Sequence, residues 1–178
     1  MGAQELDQLE AAHASIGGTG RGRRFATDQI NHAYAVLVAS QFQRFCRDLH
    51  SEGALFIASA ITPSTLGPMV QVQLTATRHL DRGNPTPGNL GSDFGRFGIE
   101  LWPALHALDR RNRNRQRDLE LLTTWRNAIA HQDFSKVGAT PLRLDVVRSW
   151  RAACDQLAGS IDRAVGDGVA RVAGARPW

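Results

Sequence analysis

Apolar residues recur along most of the chain at intervals of three and four, the spacing that lines side chains along one face of an α-helix. Ile30, Tyr34, Val38, Phe42, Phe45 and Leu49 form one such row, and Val147, Trp150, Cys154, Leu157, Ile161 and Val165 form another that fades at Gly166 and Gly168. Between them, Leu119, Leu122 and Ile129 predict a core-facing row, with Leu121, Trp125 and Ala128 adjoining it. Residues 3–13 predict a short amphipathic helix, and Thr27 is a residue of the capping type placed to open the second helix.

Two stretches are ambiguous. The run Met69-Val70-Gln71-Val72-Gln73-Leu74 alternates like a strand, yet Leu66, Val70 and Leu74 also keep helical spacing, and a helix is the reading adopted. Gly83-Asn84-Pro85-Thr86-Pro87-Gly88 breaks the pattern before a helix predicted over 94–108, in which Pro103 implies a kink or two pieces. The sum is an all-α fold, an up-and-down bundle of four to five principal helices. The bundle is expected over 25–170, after an N-terminal helix and flexible linker at 1–24 and before a loose tail at 171–178. Gly17, Gly18, Gly20 and Gly22 sit in that linker, and they fit neither GxGxxG nor GxxxxGK[ST], so no phosphate loop is expected.

At 178 residues the chain is long enough for one domain with its own core. Cys46 and Cys154 lie in apolar helical stretches, which predicts reduced core residues. No Cys/His pair has zinc-site spacing, and His13, His32, His50, His79 and His106 are scattered, so no metal and no cofactor is expected. No apolar run approaches the roughly 18 residues of a membrane span. The chain starts with the acidic set Glu5, Asp7 and Glu10 where a secretory leader would be basic, so a cytoplasmic protein is expected. Trp102, Trp125 and Trp150 fall on apolar rows and are expected in the core rather than stacked on bases.

The net charge of +4 comes almost wholly from arginine, since Lys136 is the only lysine. Position matters more than the total: Arg110, Arg111, Arg113, Arg115 and Arg117 crowd into one short stretch. Such a run attracts phosphate through counterion release, or it is simply a solvated interhelical turn, and both readings stay open.

The strongest chemical signal is the string Leu122-Thr123-Thr124-Trp125-Arg126-Asn127-Ala128-Ile129-Ala130-His131. On a helix, Asn127 and His131 lie four apart on one face, with Arg126 displaced toward the side of the same groove. An arginine, an amide and an imidazole are thereby set among Trp125, Ala128, Ile129 and Ala130, where burying them without purpose is costly. An Arg and a His at this spacing arise by chance, as Arg44 and His50 do, but that pair lacks both the polar neighbour and the apolar setting.

The full string resembles the signature of the HEPN superfamily: a helix bearing Arg, then a polar residue, then His. The segment 94–108, the spacer to Leu119 and the long final helix are similar to the layout of HEPN domains of the RiboL-PSP-like kind, over roughly 27–168. The resemblance implies a HEPN-type helical bundle that pairs as a symmetric homodimer, two copies of the motif facing one another in a basic cleft that cuts RNA. His131 would then act as general base or acid on the ribose 2′-hydroxyl, Arg126 would hold the phosphate and stabilise its developing charge, and Asn127 would orient either. Because the RNA supplies the nucleophile, a metal-independent endoribonuclease is implied, of toxin or phage-defence type, with an antitoxin or other defence-system protein as a further partner. DNA, lacking the 2′-hydroxyl, would be spared. Some HEPN toxins carry a tyrosine two residues after the histidine for modification by a partner enzyme, whereas here that position is Asp133, which puts such neutralisation in doubt and leaves Asp133 to orient His131 or cap the helix. Two other readings remain: a non-catalytic HEPN module that binds a nucleotide or partner protein, and a helical DNA-binding regulator using the arginine run, for which no helix-turn-helix pattern is evident.

Overall fold

The computed structural model describes residues 2–16, 23–61, 63–138 and 140–178, with the side chains of residues 23 and 24 left out. Among the described residues the structure is all-helical, with no strand. The helices are α1 (Ala3–Ile16), α2 (Arg23–Ser59), α3 (Gly67–Thr75), α4 (His79–Arg82), α5 (Pro87–Gly95), α6 (Leu101–Leu108), α7 (Asn112–His131) and α8 (Leu144–Ala173). A short 3₁₀ turn, Ser64–Leu66, precedes α3. The glycine- and arginine-rich segment expected as a linker lies at 17–22, outside the described residues.

Three long helices, α2, α7 and α8, pack on one another at the centre of the core, to which α1, α4, α5 and α6 add Leu6, Leu80, Phe94 and Leu105. Tyr34, Val38, Phe42 and Cys46 from α2 meet Leu119 and Leu122 from α7 and Val147, Cys154, Leu157, Ile161 and Val165 from α8, all fully buried. These are the rows read from the sequence. Both cysteines are free and buried, and burial pushes each thiol up from its ordinary range.

Several boundaries differ from expectation for identifiable reasons. α2 begins at Arg23, so Thr27 lies inside it rather than capping it; the neighbouring Phe25 is exposed, leaving no burial pattern to mark the start. The ambiguous run at 69–74 is helical, within α3, and Gly67 there lies so close to the backbone of α2 that an added Cβ would meet the Ala58 carbonyl oxygen at 2.7 Å. Pro87 and Gly88 open a helix instead of breaking one, because Thr86 accepts a hydrogen bond from the Asn89 N–H and Pro87 occupies a first-turn position that needs no donor. The segment 94–108 is two helices, as Pro103 implied, although the break falls at 96–100, where Gly98 takes a positive φ of 71°, and Pro103 sits in the first turn of α6.

α1 is packed into the bundle. Leu6 is 1% exposed, Asp7 and Glu10 pair with Arg151 and Arg148 of α8, and the Tyr34 hydroxyl donates to Glu10. α8 does not fade at its glycines but runs on to Ala173, and the tail folds back on it: Trp178 lies against Gly166, and Arg176 pairs with Asp167 at 3.0 Å.

Candidate functional site

α7 carries the motif, and both its ends are fixed. At its start the buried Asn112 donates from Nδ2 to the Leu105 carbonyl at 2.8 Å, and Arg115 reaches Asp109 at 2.8 Å and Asn112 Oδ1 at 2.7 Å. At its end, Gln132 takes the left-handed conformation (φ 54°, ψ 30°), its N–H turns back to Ile129, and the Asp133 N–H donates to the Ala128 carbonyl at 3.0 Å. That pair of bonds is a Schellman close, which makes His131 the last helical residue and leaves it exposed.

The segment after the close is held by aromatic packing. Phe134 stacks on His32 of α2, with ring centroids 5.6 Å apart and 24° between planes, and meets Trp125 of α7 edge-on at 6.3 Å. Trp125 is thus a packing residue, as its place on an apolar row implied, and burial lowers the His32 imidazole from its usual range.

Across α7 lies the turn at 83–88. Gln43 of α2 donates from Nε2 to the carbonyls of Leu80 and Gly83, both at 2.7 Å, and the Asn84 carbonyl accepts from the Thr86 N–H and Asn89 Nδ2. So anchored, the buried Asn84 side chain donates to Asn127 Oδ1, leaving the Asn127 Nδ2–H groups as donors for another partner.

Behind this turn is a buried polar network that fixes α4. His50 Nε2–H donates to the Asp93 carbonyl at 3.0 Å and its Nδ1 faces Arg78 Nη1 at 3.4 Å, while the ring stacks on Phe97 at 4.4 Å. Arg78 also donates to Ser51 at 2.8 Å and grips Asp81 through two bonds of 3.1 Å. The Asp93 carboxylate accepts from the N–H groups of His79 and Leu80 at the start of α4. Burial drives His50 down to about 4, so it is a neutral packing residue.

Arg126, Asn127 and His131 line one open cleft of about 390 Å³, together with Gln43, Asp81, Arg82, Gly83 and Asn84. Among the described residues, Arg126 and Arg82 have no carboxylate partner, whereas Asp81 is already neutralised by Arg78. The cleft therefore offers two uncommitted guanidiniums, an amide and an imidazole, a donor set suited to an anion. A second cleft of about 210 Å³ shares Asn127 and His131 and is completed by Thr124, Ala128, Asp133 and Lys136. The Ser135 hydroxyl and N–H, the latter donating to Asp133 Oδ1 at 3.1 Å, lower the Asp133 carboxyl from its usual range, with Lys136 and His131 adding to the effect.

The structure thus brings Arg126, Asn127 and His131 together and sets the other basic candidates apart. Arg110 and Arg111 precede α7 and Arg113, Arg115 and Arg117 lie in its first two turns, about 13 Å or more of helix rise from Arg126. Arg115 is committed to Asp109 and Asn112, while the other four are exposed. Gln43, Arg82 and Asn84 escaped the sequence reading; the only signal for the last was its place in an Asn-Pro turn. Among the described residues no three of His, Cys, Asp and Glu group so as to hold a metal ion, and no described helix is long and apolar enough to cross a membrane. In comparison with known proteins, the chain matches no protein-family model, no curated protein and no solved structure.

Proposed function

We propose that the protein is a metal-independent endoribonuclease whose site is the cleft of Arg126, Asn127 and His131. The observation that carries this reading is the convergence, in one cleft, of His131 with Arg126 and Arg82, neither guanidinium having a carboxylate partner among the described residues. Free guanidiniums at an open cleft favour phosphate, and the exposed imidazole beside them is a group able to take or give a proton.

In the proposed reaction the ribose 2′-oxygen attacks the adjacent phosphorus, His131 takes the 2′-hydroxyl proton, and the bond from phosphorus to the 5′-oxygen breaks as that oxygen gains a proton. Products are a 2′,3′-cyclic phosphate and a 5′-hydroxyl, with no external nucleophile. Arg126 offers paired N–H donors to the non-bridging oxygens as charge develops on them. Asn127, held by Asn84, presents its amide N–H groups to the same phosphate. The resemblance to HEPN domains adds a symmetric homodimer, in which a second copy of the motif faces the first and supplies the second imidazole that a concerted acid and base require.

The test is to incubate folded wild-type protein and His131→Ala with total RNA in excess EDTA and to analyse fragment ends. Cleavage by the wild type alone, leaving 5′-hydroxyl ends, is expected. Equal activity in both proteins overturns the assignment of His131. Absence of cleavage by either, with nucleotide or protein binding retained, favours a non-catalytic module.

A further inference from the structure

Asn127 and His131 form a ridge between two clefts of unlike chemistry. On one side stand Arg82 and Arg126, cations without a carboxylate partner among the described residues. On the other stand an acceptor, Asp133, and a donor, Lys136, over a floor that includes the buried small residue Ala128. At about 210 Å³ this second space is smaller than the roughly 300–1,000 Å³ of pockets for drug-sized ligands, a size suited to a single heterocycle.

We propose that this second cleft is a base-selecting subsite that receives guanine from the nucleotide beside the scissile phosphate, with Asp133 and Lys136 as its specificity-determining residues. This rests on the ribonuclease reading of the neighbouring cleft. The Watson–Crick edge of guanine carries an acceptor, O6, next to two parallel donors, N1–H and N2–H. A carboxylate accepts both donors side by side and an ammonium donates to O6. Adenine and uracil do not present two adjacent N–H donors, and cytosine offers only its amino group.

Two features of the loop support this use of Asp133. The Ser135 N–H donates to Asp133 Oδ1 at 3.1 Å and orients the carboxylate, while each oxygen retains a free lone pair. The loop itself is anchored through Phe134 on His32 and Trp125, so the acceptor is pre-placed rather than ordered on binding. Lys136, the only lysine in the chain, is exposed at the same cleft.

The experiment titrates the wild-type protein and Asp133→Asn with the four nucleoside 3′-monophosphates, followed by NMR, and maps cleavage positions in RNA by sequencing fragment ends. The asparagine keeps a carbonyl oxygen for the Ser135 N–H but replaces the second acceptor by a donor, so the turn persists while the match to guanine is lost. The wild type is expected to bind guanosine 3′-monophosphate about tenfold more tightly than the other three, as for a bidentate base contact, and Asp133→Asn to lose that preference in binding and in cleavage position alike. Equal affinity for the four nucleotides, binding of none of them, or a guanine preference that survives Asp133→Asn each overturns the proposal. A uniform slowing of cleavage in Asp133→Asn with base preference intact also overturns it, and assigns Asp133 to orienting His131. The two readings fail separately, because the mononucleotides contain no cleavable bond: selective binding without RNA cleavage removes the nuclease reading, and cleavage without base preference removes this one.

Discussion

Gln132 closes α7 with φ at 54°, a conformation that costs a side chain of this kind about 1 kcal/mol relative to glycine. Its side chain recovers little, donating only to the Ile129 carbonyl at 2.7 Å on the exposed surface. Gln132→Gly is therefore expected to raise stability by about 0.5 kcal/mol, the gain in native backbone being partly offset by greater freedom of the unfolded chain; urea denaturation measures it, and a loss of stability refutes the account. Arg126→Lys addresses the chemistry instead. It keeps the charge but loses the planar paired donors, so a fall in cleavage rate of about tenfold or more with unchanged thermal stability is expected. A rate equal to wild type would mean that Arg126 acts as a point charge alone. Arg126, Asn127 and His131 were legible in the sequence because helical periodicity by itself places residues 126, 127 and 131 within about one turn. Asn84 and Gln43 were not, since they arrive from distant segments and only the packing of α2, the 83–88 turn and α7 puts them beside Asn127.

At the scale of elements, α8 shows why periodicity located the helices better than their ends. A glycine inside a helix costs about 1 kcal/mol relative to alanine, so a glycine-rich stretch reads as a terminus. Yet Gly168 is buried, and a Cβ there would lie 2.3 Å from Ile99 Cδ1 and 2.5 Å from Cγ1, so the glycine is required for the 96–100 connection to pack on α8. Gly159, in the same helix, is exposed and has nothing within 4 Å of its Cβ position. Gly168→Ala is expected to destabilise by about 1–3 kcal/mol through overpacking against the buried Ile99. Gly159→Ala is expected to stabilise by about 0.5–1 kcal/mol through helix propensity alone. Opposite shifts in denaturation midpoint check the pair; equal shifts would show that Ile99 yields. The same distinction explains Pro87, which reads as a breaker in isolation but in the fold begins α5 under the Thr86 cap.

For the molecule as a whole, the network of His50, Arg78 and Asp93 ties α2, α4 and α5 together behind the candidate site, and it sets how stability depends on pH. The His50 ring is fully buried, donating from Nε2 and facing the Arg78 guanidinium through Nδ1, so the native state has no place for a second ring proton. Burial, with Arg78 adding to it, lowers His50 from 6.5 to about 4. Between those values the unfolded chain binds a proton that the native state refuses, so stability is complete above about 6.5 and falls as pH drops toward 4. The full loss from this residue is about 3 kcal/mol. His32, lowered by burial against Trp125 and Phe134, adds a smaller loss of the same sign. Glu10, Asp109 and Asp133 are lowered carboxylates, whose stabilisation is present above the ordinary carboxylate range and lost only as pH falls through it, and Asp118, raised by burial, acts in the opposite sense, so the decline that begins near neutrality belongs to the histidines. His50→Gln separates the terms, because its amide can donate to the Asp93 carbonyl and accept from Arg78 without titrating. Urea unfolding from pH 7.5 to 5 is expected to show a steep decline for the wild type and a shallower one for His50→Gln, even where the variant is less stable at neutral pH. Parallel declines would place the proton uptake elsewhere. Because Asp81 is gripped by Arg78 while Asn84 holds Asn127, loosening of this network in acid should reach the cleft before the bundle unfolds, and cleavage should then be lost at a higher pH than helicity.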